Sequence, residues 1–484
     1  LLDANGESVD ELMMFRGGKG AIDMSEEDTG KGKRAAPTPE EVEAMIKKAE
    51  LPARQAAVYH PFYQGKIEIM PKAAIRDFND FAIWYTPGVA ESCRIIQKDE
   101  EEGYRHTNRW NTIAVVSDGT RVLGLGDIGP VAGLPVMEGK SLLFKYLGGV
   151  DAYPIVLDTK DPDDIITAVK WLTPSFGGIN LEDLSQPKCF YILDTLRKEA
   201  TIPVWHDDQQ GTATVVVAGV INALKVVGKK MGEAVISMIG AGASNIAIAR
   251  VLIAAGCDQR NIIMADSKGI LGPNRTDIKE KYPQKWDMAL KSNKEGREGG
   301  IPECMKDTDV CISATKPGPG MIKKEWVSMM ADDAIIFPIA NPVPEIWPWE
   351  ALEGGARVVG TGRSDFPNQV NNSLGFPGIF RGTLDVYAKT ITDEMCIAAA
   401  YELAKTAEDN GIHEEYIIPT MDEWEVFPRE ATAVALKAIE QGIARVKKSR
   451  QEIFERAESI IKDARGKVQL LMKEGYIKMP PEVK

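Results

Sequence analysis

The stretch VISMIGAGASNIAIARVLIAAGC, residues 235–257, admits two opposed readings, and the choice between them sets the architecture of the chain. Its apolar length suggests a membrane span, yet Asn245, Arg250 and several glycines interrupt it, and its opening has the character of a buried strand. A strand, a tight turn and a helix fit better. Gly240 then permits the turn, and Gly242 lets a pyrophosphate approach the backbone at a helix N-terminus, where N–H groups and the helix dipole favour an anion. Asn245 stands where the fingerprint G-x-G-x-x-G has its third glycine, a departure expected to alter helix–strand packing without abolishing the loop. NIIMAD follows as the next strand, and Asp266 at its end stands where an acidic side chain accepts hydrogen bonds from a ribose. The unit reads as a dinucleotide site. Ser267 and Lys268, directly after Asp266, would meet a 2′-phosphate and lean the reading from NAD toward NADP; a solvated lysine in a turn explains Lys268 equally well.

Outward from this unit the same rhythm continues. Short apolar runs at DVCISA, AIIFPIAN and ARVVGTG extend the second half, and YPIVLD and IPVWHD, each closing on an acidic residue, occur in the first half with helical segments between. That is an α/β arrangement, whose ligand groups sit at the carboxyl ends of strands. NTIAVVSDGTRVLGLGD reads as two strands joined at Asp118-Gly119, a hairpin-type dipeptide. Thr38, Pro39 and Glu41 announce a helix with a capping box, and a boundary falls near Tyr59–Tyr63. The tail from about Gln451 carries an apolar stripe at helical spacing (Ile453, Ala457, Ile460, Ile461, Ala464, Val468, Leu471), which packs on the chain's own core or on another subunit.

The 484 residues suffice for two substantial domains, and the net charge of −13 argues against a nucleic-acid or anionic-membrane surface. Six cysteines without CxxC pairs read as free thiols in a reducing compartment, which points to the cytoplasm. The first 35 residues or so are polar and glycine-rich, and read as a loop or extension.

GLPVMEGKS, residues 133–141, imitates a phosphate-binding loop but spaces its glycines one residue too far apart for N–H groups to converge on a phosphate. Lys140 therefore needs another task. The adjacent carboxylates of Glu182 and Asp183, and of Asp207 and Asp208, would meet if both segments reach one sheet edge. Two like charges ~4 Å apart repel by about 1 to 4 kcal/mol, so such a cluster requires a cation, proton sharing or solvent. An all-oxygen set suits Mg²⁺ or Mn²⁺; solvated strand ends are the plain alternative. His206 reads as a packed imidazole rather than a ligand. A dinucleotide, a divalent metal, Lys140 and the phenol of Tyr85 together suggest oxidation of a 2-hydroxy acid, with a lysine base whose pKa burial and a nearby cation would lower.

These residues resemble the malic enzymes of the short bacterial and archaeal type. The resemblance rests on YTPGVA (85–90), SDGTRVLGLGDIGPVAGLPVMEGK (117–140), SFGGINLEDL (175–184), PVWHDDQQGTA (203–213), the GAG loop, IANPVPEI (339–346) and NNSLGFPGIFRG (371–382). It implies oxidative decarboxylation of L-malate to pyruvate and CO₂ with NAD or NADP and Mg²⁺ or Mn²⁺. By matching motif, Lys140 is similar to the family's general base and Tyr85 to its general acid. Glu182, Asp183 and Asp208 look like its metal ligands, and Asp207 resembles a residue that assists Lys140 or Tyr85. Arg121 resembles the clamp on the malate carboxylate, and Asn341 and Asn372 resemble amides that touch malate or nicotinamide, with Asn371 a possible partner. The fold class implied is a two-domain α/β chain: a substrate and metal domain over residues 56–212, a Rossmann-type NAD(P)-binding domain over 213–444, an extension over 1–55 and a helical extension over 445–484. A homodimer or higher homo-oligomer is expected. Malolactic conversion on the same scaffold, a regulatory binding protein without turnover, and a plain amino-acid dehydrogenase are the competing readings.

Overall fold

The computed structural model describes residues 38–483, with the side chains of residue 39 and residues 41–49 left out of the description. The polar opening segment therefore lies outside the described residues. A helix over Pro39–Tyr63 starts with proline in its first turn, where the missing N–H costs nothing, and runs on through Pro52 and Pro61.

Two parallel sheets carry the rest. The first has four strands, β1 (Thr112–Ser117), β2 (Asp151–Val156), β3 (Gly178–Leu181) and β4 (Val204–His206), in the order β2-β1-β3-β4. All its pairings are parallel, so the carboxyl ends of β1, β3 and β4 share one edge. The expected hairpin at Asp118-Gly119 is absent. Both neighbours of β1 run parallel to it, which leaves no place for an antiparallel return. Residues after Ser117 instead form a loop, in which Asp118 accepts from the Thr120 backbone N–H and the Arg121 N–H donates to the Asp183 carbonyl at 2.9 Å. A local turn preference yielded to tertiary pairing.

The second sheet contains β5 (Ile236–Ile239), β6 (Ile262–Asp266), β7 (Gly269–Ile270), β8 (Val310–Ser313), β9 (Ala334–Pro338) and β10 (Ala356–Val359), ordered β10-β9-β8-β5-β6-β7. Only the two-residue β7 runs antiparallel. From β5 the chain first builds β6 on one side and later β8 on the other, so the order reverses there. This switch point is where open parallel sheets bind ligands. The apolar stretch at 235–257 is thus a strand and the helix Ala243–Ala254, as its interruptions indicated. Among the described residues no helix is long and apolar enough to cross a membrane.

Apart from the edge strand β2, half-buried at five of its six residues, the strands are almost fully buried, which explains their continuous apolar runs. Beneath the first sheet, Trp205, Phe144, Phe376 and Phe380 pack with Ile113 and Val115 in a core shared with the helices Pro130–Gly148, Phe376–Asp385 and Val426–Glu440. The tail helix Arg450–Lys473 opens with a capping box, Ser449 and Glu452 bonding reciprocally. It buries Ile453, Ala457, Ile461 and Ala464 against this same chain, so the stripe serves the chain's own core.

Candidate functional site

The first sheet delivers its acidic residues to one place because β3 and β4 are adjacent, in register and parallel. Glu182 and Asp183 follow β3 directly; Asp207 and Asp208 follow β4. Carboxylate oxygens of Glu182, Asp183 and Asp208 lie within 4.8 Å of one another. Glu182 and Asp183 are buried and Asp208 is half-buried. Burial pushes the Glu182 carboxyl well up, and burial together with Asp208 pushes Asp183 up to about 8. Asp183 Oδ2 is buried without a hydrogen-bond partner. A buried oxygen with no donor, in a set made only of oxygens, has the chemistry of a hard divalent cation site. The donors fit Mg²⁺ or Mn²⁺ and do not suit a thiolate-loving metal.

Asp207 begins a π-helical turn, Asp207–Gly211, that leads into the helix Thr212–Val226. Such turns recur at functional sites because they re-aim a side chain. Its geometry demands Gly211: a Cβ there would stand 1.9 Å from Asp207 Oδ1. The carboxylate thereby gains room to lie fully buried, with Trp205 Nε1 donating to Oδ1 at 3.3 Å and Asn372 Nδ2 donating to Oδ2 at 2.5 Å.

Lys140 enters from the helix Pro130–Gly148, buried at mid-helix rather than on a phosphate loop. Its Nζ donates to Asp207 Oδ2 at 2.5 Å, lies 3.1 Å from Glu182 Oε1, and sits 4.2 Å above the Phe376 ring. Burial works against the ammonium, but Asp207 and Glu182 outweigh it and hold the Lys140 pKa above its ordinary value. The lowering expected of a base is thus not what these carboxylates produce by themselves; their field does the opposite.

Arg121 is exposed, its guanidinium 3.4 Å from the Leu123 carbonyl, while its backbone ties the loop to Asp183. Asn341 follows β9, beside Gly362, and Asn371 donates to the Gly362 carbonyl at 2.9 Å. Tyr85 is not brought to the cluster. It ends the short helix Asp80–Trp84 with its side chain 73% exposed. His206 is fully buried with neither ring nitrogen hydrogen-bonded, and burial lowers its pKa, which fits the packed imidazole.

The second sheet shapes the glycine loop. Gly240 has φ +94°, and a Cβ there would stand 2.5 Å from the Ala314 carbonyl oxygen after β8. Asn245, buried in the first turn of its helix, donates to the carbonyls of Ile239 and Gly240 at 3.0 and 2.7 Å, pinning the loop to the strand end. A glycine in its place would leave those carbonyls without that donor. Asp266 ends β6 but is already engaged: Arg275 donates to both its oxygens, at 3.0 and 3.1 Å, and Lys285 Nζ stands 3.9 Å away. Ser267 lies in the turn after β6, and Lys268 pairs with Asp277 at 2.9 Å. Sequence reading missed Arg275 and Lys285, because nothing in their spacing from Asp266 marks them. It also missed Glu345, fully buried in IANPVPEI, which accepts from the Thr315 and Ala340 backbone N–H groups and ties the loops after β8 and β9 together. A buried acid inside that apolar, proline-rich run was the available signal.

Two family models match the chain: the malic enzyme N-terminal domain over residues 64–162, and the malic enzyme NAD binding domain over 209–353 and 355–441. The bifunctional malic/malolactic enzyme of Bacillus subtilis is 47% identical over 84% of this chain and 98% of its own length. The NAD-dependent malic enzyme of Geobacillus stearothermophilus is 48% identical over 79% of this chain and 78% of its own. Other relatives are named NADP-dependent malic enzymes. The crystal structure of Entamoeba histolytica malic enzyme superposes with a TM-score of 0.89 at 48% identity, covering 92% of this chain and 94% of that one.

Proposed function

The chain belongs to the malic enzyme family, an NAD(P)-dependent oxidoreductase acting on malate, and from that premise we propose how its own residues share the reaction. The observation that carries the reading is the contact of one buried amine, Lys140, with Asp207 and Glu182 beside a carboxylate set suited to a divalent cation.

Glu182, Asp183 and Asp208 would hold Mg²⁺ or Mn²⁺, and Gly240, Gly242, Asn245 and Asp266 the dinucleotide, within domains divided near residue 212. When bound, the dinucleotide accepts the hydride from C2 of malate, and the cation draws electron density from the C2 oxygen. Lys140, held protonated by Asp207 and Glu182 as it stands, would become a better base once those carboxylates' charge is offset by a cation held on Glu182, Asp183 and Asp208. Lys140 Nζ receives the malate hydroxyl proton while Asp207 fixes its position. Arg121 and the Asn341 and Asn372 amides orient the carboxylates and the reacting carbon. After CO₂ leaves the β-keto acid, Tyr85 delivers a proton to C3, and the proton held by Lys140 restores the phenol. Protons thus balance: one leaves the hydroxyl and one arrives at carbon.

On cofactor choice, Arg275 and Lys285 neutralise Asp266, which removes the charge repulsion a 2′-phosphate would meet and supports NADP use beside NAD. The six cysteines are free thiols, in keeping with a cytoplasmic setting. The test is a spectrophotometric assay with L-malate and Mn²⁺, with NAD and NADP in parallel and pyruvate quantified. Reduced cofactor matched by pyruvate is expected. Lactate without net reduced cofactor would indicate the malolactic outcome instead, an activity named for the Bacillus subtilis relative.

A further inference from the structure

The two sheet edges meet at one glycine. Gly124 lies in the loop after β1, and a Cβ there would stand 2.4 Å from Pro317 Cγ and 3.1 Å from the Asn341 carbonyl oxygen. Carbon atoms in contact keep about 3.5–4.0 Å, so a methyl group at this point would force the two sides apart by roughly 1 Å. Gly124 is not among the glycines with positive φ. Close approach, and not backbone freedom, is what excludes a side chain here.

Each side of the contact is held by its own hydrogen bonds. On the Gly124 side, the Arg121 N–H donates to the Asp183 carbonyl and the Val122 N–H to the Gly126 carbonyl, both at 2.9 Å. The Ser185 N–H donates to Thr120 Oγ1 at 3.0 Å, so the loop is tied to the carboxylate edge at two points. On the far side, buried Glu345 accepts from the Thr315 N–H at 2.7 Å and from the Ala340 N–H at 3.1 Å. The Gly318 N–H donates to the Val343 carbonyl at 3.1 Å. Pro317 and Asn341 thus share one frame. That frame also carries the Ala314 carbonyl, which packs against Gly240 of the dinucleotide loop.

Hydride must cross this junction. Malate is held from the first edge and the nicotinamide from the second, and reacting atoms have to approach to about 3–3.5 Å. We propose that Gly124, seated on Pro317 and the Asn341 backbone, is a positioning residue that sets the distance between the two edges for hydride transfer. The inference rests on the malate-oxidising reading above and adds to it a residue that acts through its neighbours. The donors to each ligand lie on one side of the contact, so Gly124 governs the step that joins the ligands and not the binding of either.

The test compares two reactions of one protein. Malate oxidation needs both edges. Decarboxylation of added oxaloacetate, the β-keto acid that oxidation at C2 yields, needs only the carboxylate edge with Mn²⁺. Gly124→Ala should lower kcat for cofactor reduction by about 100-fold, the usual cost of a ~1 Å misplacement. The KM for malate, NAD(P) affinity by fluorescence titration and the rate of oxaloacetate decarboxylation should stay near wild type. Adding Pro317→Ala to the same chain removes the ring carbons that a Cβ would strike, and should restore most of the lost rate. Equal loss of both reactions would overturn the proposal, as would a double variant no faster than Gly124→Ala or unimpaired oxidation by Gly124→Ala. Should Gly124→Ala not fold, Glu345→Gln, which leaves one backbone N–H without its acceptor and loosens the Pro317 frame, must show the same split between the two reactions. A wild-type chain that reduces no cofactor with malate would defeat the underlying reading, and the inference would fall with it.

Discussion

The two sheets are built alike and used oppositely. Each is parallel but for the short β7, largely buried except at the edge strand β2, and offers the carboxyl ends of its parallel strands at one edge. At the first edge the chain gathers negative charge, with Glu182, Asp183, Asp207 and Asp208 around a single Lys140. At the second it gathers donors: the glycine loop at a helix N-terminus, with Arg275 and Lys285 crowding Asp266. Backbone topology decides where ligands go, and the few residues after each strand decide the sign of what can bind. On the proposed reading, one edge would take a cation and the other a pyrophosphate.

Substitutions that erase one edge should leave the other working, and four would break or sharpen this contrast. Lys140→Met should cost the most, lowering kcat by about 10²–10⁴-fold as expected for losing a general base. Dinucleotide affinity, measured by fluorescence titration, should stay nearly unchanged; a large loss there would mean the edges are not independent. Asp183→Asn should weaken Mn²⁺ binding, read by calorimetry, by about 100-fold, the upper end of what even an outer-shell partner contributes. Its effect on NAD(P) binding should again be small.

The second edge yields smaller effects. Arg275→Ala should change the ratio of kcat/KM for NADP to that for NAD by about tenfold toward NAD, the worth of one charge-assisted contact. A ratio that moves toward NADP would show that Arg275 serves only to occupy Asp266. Asn245→Ala removes two hydrogen bonds to strand-end carbonyls and should cost about 1 kcal/mol, a fall in Tm of about 2–4 °C. Activity at saturating cofactor should survive.

The sequence made the fold legible where burial was continuous. Runs such as NIIMAD and AIIFPIAN emerge as β6 and β9 because both faces of a parallel strand are covered, and no competing structure hides that length of apolar chain. Asp118-Gly119 misled because a turn dipeptide reports local preference only, while parallel partners on both sides of β1 settled the pairing. In the site, carboxylates adjacent in sequence at strand ends were visible in advance. Arg275, which forks onto Asp266, and Gly211, which makes space for Asp207, were not, because their roles exist only once distant segments meet. The exposed setting of Tyr85 was equally invisible, since a motif names a residue and says nothing of what surrounds it.

The central claim is that the first edge holds a divalent cation beside Lys140. Crystals soaked in Mn²⁺ and recorded at the manganese absorption edge test it most directly. The account predicts a single anomalous peak among the Glu182, Asp183 and Asp208 oxygens, lost in Asp183→Asn. Full malate oxidation after exhaustive chelation, with no peak at those oxygens, would contradict it.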